Sequence, residues 1–132
     1  MSTGGSPALS ILLVEDSAPI RNAFRILLED CGYSVTEAEC GEEALRLAGE
    51  DRPTLILLDL GLPDIDGLEV TRRLRSMDET AATPIIALTG RTLEADSQAC
   101  IAAGCTTFLS KPIDSSRLLQ EIETLAGARR PA

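Results

Sequence analysis

Five short apolar segments, separated by stretches of helical pattern, constrain the fold of this chain more than any other feature. They are ILLV at 11–14, YSVTEA at 33–38, LILL at 55–58, PIIAL at 84–88 and TTFL at 106–109. Most are continuously apolar rather than alternating, which is typical of strands covered on both faces in a parallel sheet. We therefore expect five parallel strands.

The intervals between these segments carry apolar residues at helical spacing. The clearest helix begins after Ser17, a good cap, with Pro19 in its first turn. Its apolar stripe comprises Ile20, Ala23, Phe24, Leu27 and Leu28. Four more helices are predicted around 44–48, 68–74, 93–103 and 118–125.

Strands and helices that alternate in this way predict an α/β fold with right-handed crossovers and helices on both faces of an open sheet. Five strands favour the flavodoxin-like, doubly wound arrangement with strand order 2-1-3-4-5 and five helices.

The length of 132 residues suits one domain. We expect a flexible Gly-, Ser- and Pro-rich lead-in at 1–9, a domain at 10–127, and a tail or the start of a linker at 128–132. No apolar stretch is long enough to cross a membrane, and the first residues do not resemble a secretion signal. The expected location is therefore cytoplasmic, with no membrane partner.

Charge and composition exclude several kinds of site. With 21 acidic and 12 basic residues, the chain lacks the basic surface that nucleic acid binding requires. It has no His for a zinc site or a catalytic triad, and only 2% aromatic residues for stacking on a flavin. The four Cys residues form no C-x-x-C pair and are expected to be free thiols. Eleven of the basic residues are Arg and one is Lys, Lys111.

Polar side chains follow four of the predicted strands at the point where each strand ends. Glu15 and Asp16 follow the first strand, Asp59 the third, Thr89 the fourth and Lys111 the fifth. In the order 2-1-3-4-5 these four strands are consecutive neighbours, so the five side chains should share one edge of the sheet.

Three carboxylates in one cleft repel each other unless a cation lies among them. Oxygen ligands without His or Cys suit a hard ion, Mg²⁺ or Mn²⁺. An ammonium and a hydroxyl on the other side would suit an anion, and a phosphoryl group is the natural candidate. One carboxylate would then be the nucleophile that forms an aspartyl phosphate.

Four sequence strings occur in order, each at the end of a predicted strand. They are LLVEDS at 12–17, LLDLGLPDIDGLEV at 57–70, PIIALTG at 84–90 and AAGCTTFLSKPID at 102–114. On these strings the chain resembles the receiver domain of bacterial two-component response regulators over about residues 10–127. The last two strings are especially similar to receivers of hybrid sensor kinases or phosphorelays.

The resemblance implies a role for each acidic residue of the site. Asp59 would be the phosphoacceptor. Asp16 would bind Mg²⁺ directly and Glu15 through a water, while the backbone carbonyl of Gly61 would be a further metal ligand.

The resemblance also implies a switch. Thr89 would hydrogen-bond the phosphoryl group, and Lys111, preceding a cis bond to Pro112, would pair with one of its oxygens. Phe108 would swing inward as Thr89 moves. The altered face would be built from the fourth helix, the fifth strand and the fifth helix.

The function implied is a Mg²⁺-dependent phosphoacceptor in two-component signal transduction. A sensor histidine kinase or a histidine phosphotransfer protein would be the donor, recognised near Ile20, Arg21 and Phe24. A downstream protein target, or a homodimer through the switch face, would read the signal. The domain would not be an enzyme, beyond self-catalysed transfer and slow autodephosphorylation.

Two alternatives compete with this interpretation. A pseudo-receiver would keep the fold and act only as a protein-interaction module, although it would normally lack one of the key side chains, and none is missing here. A different enzyme on the same fold is the other alternative. The chain lacks the phosphate loop and aromatic rings of a flavodoxin, and EDSA does not supply the D-x-D of a haloacid-dehalogenase-like phosphatase.

Arg91, two residues past Thr89, is a long cation at the rim of the expected site. We predict that it shields the acyl phosphate, so that Arg91→Ala shortens the lifetime of the phosphorylated protein. Measured decay of the phosphoprotein tests this, and an unchanged rate would eliminate the role.

Overall fold

The computed structural model describes residues 9–90 and 94–127 of the chain. These residues form five strands and five helices in strict alternation. In chain order the elements are β1 (Ser10–Val14), α1 (Ala18–Asp30), β2 (Ser34–Ala38), α2 (Gly41–Asp51), β3 (Leu55–Asp59), α3 (Gly67–Ser76), β4 (Ile85–Thr89), α4 (Glu94–Ala103), β5 (Thr107–Ser110) and α5 (Ser115–Gly127). Arg91, residues 1–8 of the expected lead-in and the tail at 128–132 lie outside the described residues.

The strands form one parallel sheet with the order β2-β1-β3-β4-β5. The predicted α/β fold and its strand order are therefore confirmed. β1 lies between β2 and β3, and the later strands add on the other side, so the strand order reverses next to β1. Such a reversal opens a crevice beyond the carboxyl ends of the strands.

Alternate residues of each central strand enter two separate cores, because successive side chains of a strand point to opposite faces. Leu12, Ile56 and Ile85 pack beneath α2, α3 and α4. Leu13 and Leu57, by contrast, pack with residues of α1 and α5. β1, β3 and β4 are buried almost throughout, whereas the edge strands β2 and β5 are partly exposed.

Capping residues mark the ends of three helices, and one of them is the predicted cap Ser17. The Ser17 hydroxyl accepts from the Ile20 N–H, and Pro19 lies in the first turn of α1. Asp114 caps α5, since its carboxylate accepts from the Ser116 N–H at 2.9 Å. Gly104, with a φ of 116°, takes the left-handed conformation that ends α4.

The apolar stripe of α1 is less deeply buried than its pattern indicates. Leu28 is fully buried and Phe24 packs against the core on the α1 and α5 side, but Ile20 is exposed. None of the helices in the described ranges combines the length and the apolar character that a membrane crossing requires.

The start of α2 is capped by a residue from a distant loop. Cys40, at the N-cap position, makes no side-chain cap. Instead the Asp64 carboxylate, in the loop between β3 and α3, accepts from the N–H groups of Gly41 and Glu42 at 2.8 and 3.0 Å. A side chain at Gly41 would also crowd Val70 and Ile65 of this region, which explains the glycine. Asp64 therefore ties the loop after Asp59 to α2.

The cap makes an acid-dependent contribution to stability. The two N–H donors lower the pKa of Asp64 from 3.8 to about 2. Between these values the unfolded chain binds the proton and the native protein does not, so the contribution is present above pH 4 and is lost as the pH falls towards 2. Asp64→Asn removes the charge but keeps one acceptor.

We predict that urea unfolding midpoints of the wild type and Asp64→Asn differ at pH 6 and that this difference shrinks as the pH falls from 4 towards 2. A gap of constant size across this range would show that the charge on Asp64 does not contribute.

Candidate functional site

The structure brings the polar residues that follow β1, β3, β4 and β5 to one edge of the sheet. Asp59 and Thr89 are the last residues of β3 and β4. Glu15 and Asp16 directly follow β1, and Lys111 directly follows β5. Asp59 occupies the middle of this edge because β3 lies between β1 and β4.

Three carboxylates converge at this edge. Glu15, Asp16 and Asp59 each offer an oxygen, and these oxygens all lie within 4.8 Å of one another. Glu15 and Asp59 are only 1% and 3% exposed, whereas Asp16 is exposed. The cluster thus combines two buried carboxylates with one that faces solution, an arrangement of oxygen ligands suited to a hard divalent cation.

The Glu15 carboxylate is incompletely satisfied by the protein. Its Oε2 accepts from the Ser17 N–H at 3.0 Å, but within the described ranges its buried Oε1 has no hydrogen-bond partner. Burial raises the pKa of Glu15 to about 7, and the neighbouring Asp59 charge adds to this, while the Ser17 N–H and Lys111 oppose it. A cation or an ordered water at Oε1 would satisfy this group.

Asp59 is held by two donors on a single oxygen. The Lys111 ammonium lies 3.0 Å from Asp59 Oδ1, and the Gly61 N–H donates to the same oxygen at 3.1 Å. Lys111 is itself positioned by its N–H, which donates to the Thr89 carbonyl at 2.7 Å, and it precedes a cis bond to Pro112. The Lys111 side chain remains 36% exposed, so the ammonium contacts both the buried carboxylate and solution.

A cleft of about 300 Å³ opens above Asp59. Its floor and walls are formed by Asp59, Leu60, Gly61, Asp66, Leu68, Thr89, Gly90, Cys100 and Lys111. A side chain at Gly90 would meet no atom of the described residues within 4 Å. The cleft is large enough for a small anion beside Asp59 and Lys111.

The family resemblance also assigns roles to Gly61 and Phe108. Gly61 borders the cleft, and its N–H engages Asp59; the role of its carbonyl stays a prediction. Phe108, in the middle of β5, packs partly buried against the core beneath α4 and borders an apolar groove with Ile101 and Ala102. Its inward swing also stays a prediction.

Three residues contribute to the site in ways that the sequence did not reveal. Asp66 borders the cleft and caps α3 by accepting from the Leu68 N–H at 2.8 Å. Cys100 reaches the cleft from α4. Arg21, expected only as a surface residue for partner recognition, donates to the backbone carbonyl of Glu15 at 2.9 Å. The cap by Asp66 is local, but no sequence pattern marks the positions of Asp66 and Cys100 beside the cleft or the contact of Arg21 with Glu15, since these depend on how separate elements pack.

The sequence profile of the response regulator receiver domain matches residues 11–123. This chain belongs to the response regulator receiver family. The match covers β2 to β5, all of β1 except Ser10, and every residue of the acidic cluster, and it confirms the family resemblance carried by the four sequence strings.

Individual relatives and solved structures support the same family assignment. The polar-differentiation response regulator DivK of Brucella anthropi is 40% identical over 118 residues, which are 89% of this chain and 96% of DivK. The chemotaxis protein CheY4 of Vibrio cholerae is 33% identical with a TM-score of 0.85, covering 89% of this chain and 98% of CheY4.

A third similar protein is the receiver domain of the sensor histidine kinase PA1611 from Pseudomonas aeruginosa. It is 35% identical with a TM-score of 0.84, covering 91% of this chain and 98% of that domain. Its structure contains a magnesium ion coordinated in the active site cleft. The relatives thus include response regulators and a receiver domain of a sensor kinase, and the receiver domain is a phosphoacceptor module of two-component signalling. No observation favours the pseudo-receiver alternative.

The raised pKa of Glu15 predicts how stability without metal depends on pH. Between 4.5 and about 7 the native protein keeps the Glu15 proton and the unfolded chain releases it. Stability should therefore fall as the pH rises through this window. At pH 8 in a chelator, Glu15→Gln should be more stable than the wild type by about 1–3 kcal/mol, because it removes a buried charge.

Urea unfolding from pH 5 to pH 8 measures this, with Glu50→Gln as a matched change at an exposed glutamate. Parallel curves for the wild type and Glu15→Gln would contradict the assignment of the buried charge.

Proposed function

We propose that this domain accepts a phosphoryl group on Asp59 from a histidine kinase or a histidine phosphotransfer protein, in a Mg²⁺-dependent reaction. The observation that carries the proposal is the setting of Asp59. It is a buried carboxylate that Lys111 contacts at 3.0 Å and that shares an acidic cluster with Glu15 and Asp16.

The residues present fit a magnesium ion. Three carboxylates face one ammonium, all the donors are oxygen, and Glu15 Oε1 is buried without a partner in the described part of the chain. Asp16, Asp59 and the Gly61 carbonyl would hold the ion, with Glu15 contacting it through a water. When bound, Mg²⁺ neutralises charge on the carboxylates and on the incoming phosphoryl group.

The side chains supply the remaining steps. A carboxylate oxygen of Asp59 attacks the phosphorus of the phosphohistidine, the new O–P bond forms, and the P–N bond breaks with the electron pair leaving on the imidazole nitrogen. Lys111 and the Gly61 N–H orient the carboxylate beforehand, which lowers the entropic cost of attack. Once the acyl phosphate forms, the Lys111 ammonium pairs with a phosphoryl oxygen and the Thr89 hydroxyl donates to another.

The output follows from the movement of Thr89 towards the phosphoryl group and of Phe108 inward. Phe108 borders an apolar groove on the face formed by α4 and β5. We expect this face, extended by α5, to bind a downstream protein or a second copy of the domain. Slow autodephosphorylation would be the only other reaction of the domain. The proposal also keeps a cytoplasmic location and a domain that spans residues 10–127.

Incubation with acetyl phosphate and Mg²⁺, followed by intact mass spectrometry, tests the phosphoacceptor. The wild type should gain the mass of one phosphoryl group, and the gain should vanish with chelator or in Asp59→Asn. Asp66→Asn is the matched control: Asp66 borders the same cleft, and Asn caps a helix as well as Asp does, so it should still be modified.

Phosphoryl uptake that persists in Asp59→Asn would show that another residue is the acceptor. No uptake by a folded wild-type protein that also binds no divalent ion would favour the pseudo-receiver.

A further inference from the structure

One guanidinium joins the loop between β1 and α1 to the edge of the sheet. Arg21 lies at the end of the first turn of α1, yet its side chain is only 13% exposed. Its Nη1 donates to the Glu15 carbonyl at 2.9 Å, and its Nε donates to Glu37 of β2 at 3.1 Å. Its Nη2 lies 4.0 Å from Glu39. Three elements therefore meet at this side chain.

From this geometry we propose that Arg21 is a positioning residue for the divalent metal site, an inference that rests on the proposed function. The Glu15 carbonyl belongs to the planar peptide group that joins Glu15 to Asp16. Fixing the direction of this carbonyl restricts the backbone on both sides of the group. It therefore restricts where both acidic side chains point.

The other contacts of the loop explain why this restraint matters. The Glu15 N–H donates to the Ala38 carbonyl at 3.0 Å, and the Ser17 N–H donates to Glu15 Oε2 at 3.0 Å. These bonds hold the two flanks of the loop, whereas Arg21 holds the peptide group between Glu15, which would contact the ion through a water, and Asp16, which would bind it directly. Arginine suits this position because its planar, rigid guanidinium can donate to two acceptors at once, which the ammonium of a lysine does less well.

Charge and geometry predict opposite effects for the loss of Arg21. A cation near a metal site repels the ion, so removing it should tighten metal binding if charge alone matters. If Arg21 positions the ligands, its removal should weaken binding, because the loop must be ordered when the ion binds. The sign of the change therefore separates the two explanations.

Arg25 offers a matched control on the same helix. It lies one turn further along α1 and pairs with Glu29 at 2.9 Å and with the same Glu37 at 3.5 Å. In the described structure none of its ion pairs reaches the β1–α1 loop. Arg25→Met removes the same charge from the same surface, without releasing the Glu15 carbonyl.

The test measures Mn²⁺ binding by electron paramagnetic resonance, which counts free Mn²⁺, for the full chain and its variants. Arg21→Met should bind Mn²⁺ about tenfold more weakly than the wild type, the lower end of the range for partners that orient metal ligands. Arg25→Met should bind as tightly as the wild type or slightly more tightly. In metal-free protein, the Ser17 amide hydrogen should exchange faster in Arg21→Met only.

The outcomes separate the two proposals. Mn²⁺ binding by the wild type that is unaffected by Asp16→Asn would overturn the metal site of the proposed function. Binding that depends on Asp16 but is equal in Arg21→Met and Arg25→Met would overturn the role of Arg21 alone. If Arg21→Met does not fold, Arg21→Lys replaces it in the test, since it keeps the positive charge but loses the planar guanidinium. Arg21→Lys should then also bind Mn²⁺ more weakly than the wild type.

Discussion

The burial of two carboxylates beside a third is the constraint on which the rest of this structure depends. Glu15 and Asp59 are almost fully removed from solvent at the carboxyl ends of β1 and β3. Such groups cost several kcal/mol to desolvate unless partners compensate. The Lys111 ammonium and the Gly61 N–H compensate Asp59 in part, but Glu15 keeps one buried oxygen without a partner in the described structure. Glu15 is therefore left incompletely compensated, and the divalent ion of the proposed function would complete the compensation.

The surrounding fold holds the loops that carry these groups. The central strands are covered on both faces, so their ends are rigid reference points for the loops that follow. Asp64 ties the loop after Asp59 to the start of α2, and Gly67 approaches Leu60 so closely that a side chain would lie 2.5 Å from its Cα. Arg21 joins the loop after Val14 to the edge strand β2. These contacts come from different elements, so the order of the site depends on the packing of several parts of the domain.

Much of this arrangement was accessible from the sequence. Continuous apolar runs such as LILL before Asp59 predicted the central strands, and the rule that ligands bind beyond strand ends brought Asp59 and Lys111 to one edge. The cap by Asp64 was not accessible, because its partners lie 22 and 23 residues away and no periodicity links them. The shallow burial of the α1 stripe was not accessible for a related reason, since a helical pattern shows which face is apolar but not how much of it is covered.

The sequence by itself determined the order of elements, the oxygen-only set of donors and the presence of a single lysine to face them. These are properties of residue type and spacing, and they can be read along the chain. Only the tertiary structure decided that three carboxylate oxygens lie within 4.8 Å of one another and that burial raises the pKa of Glu15 to about 7. It also decided that Arg21 donates to the carbonyl of the peptide group between Glu15 and Asp16. Desolvation and hydrogen-bond geometry depend on every neighbour in space, and those neighbours come from strands and helices far apart in the chain.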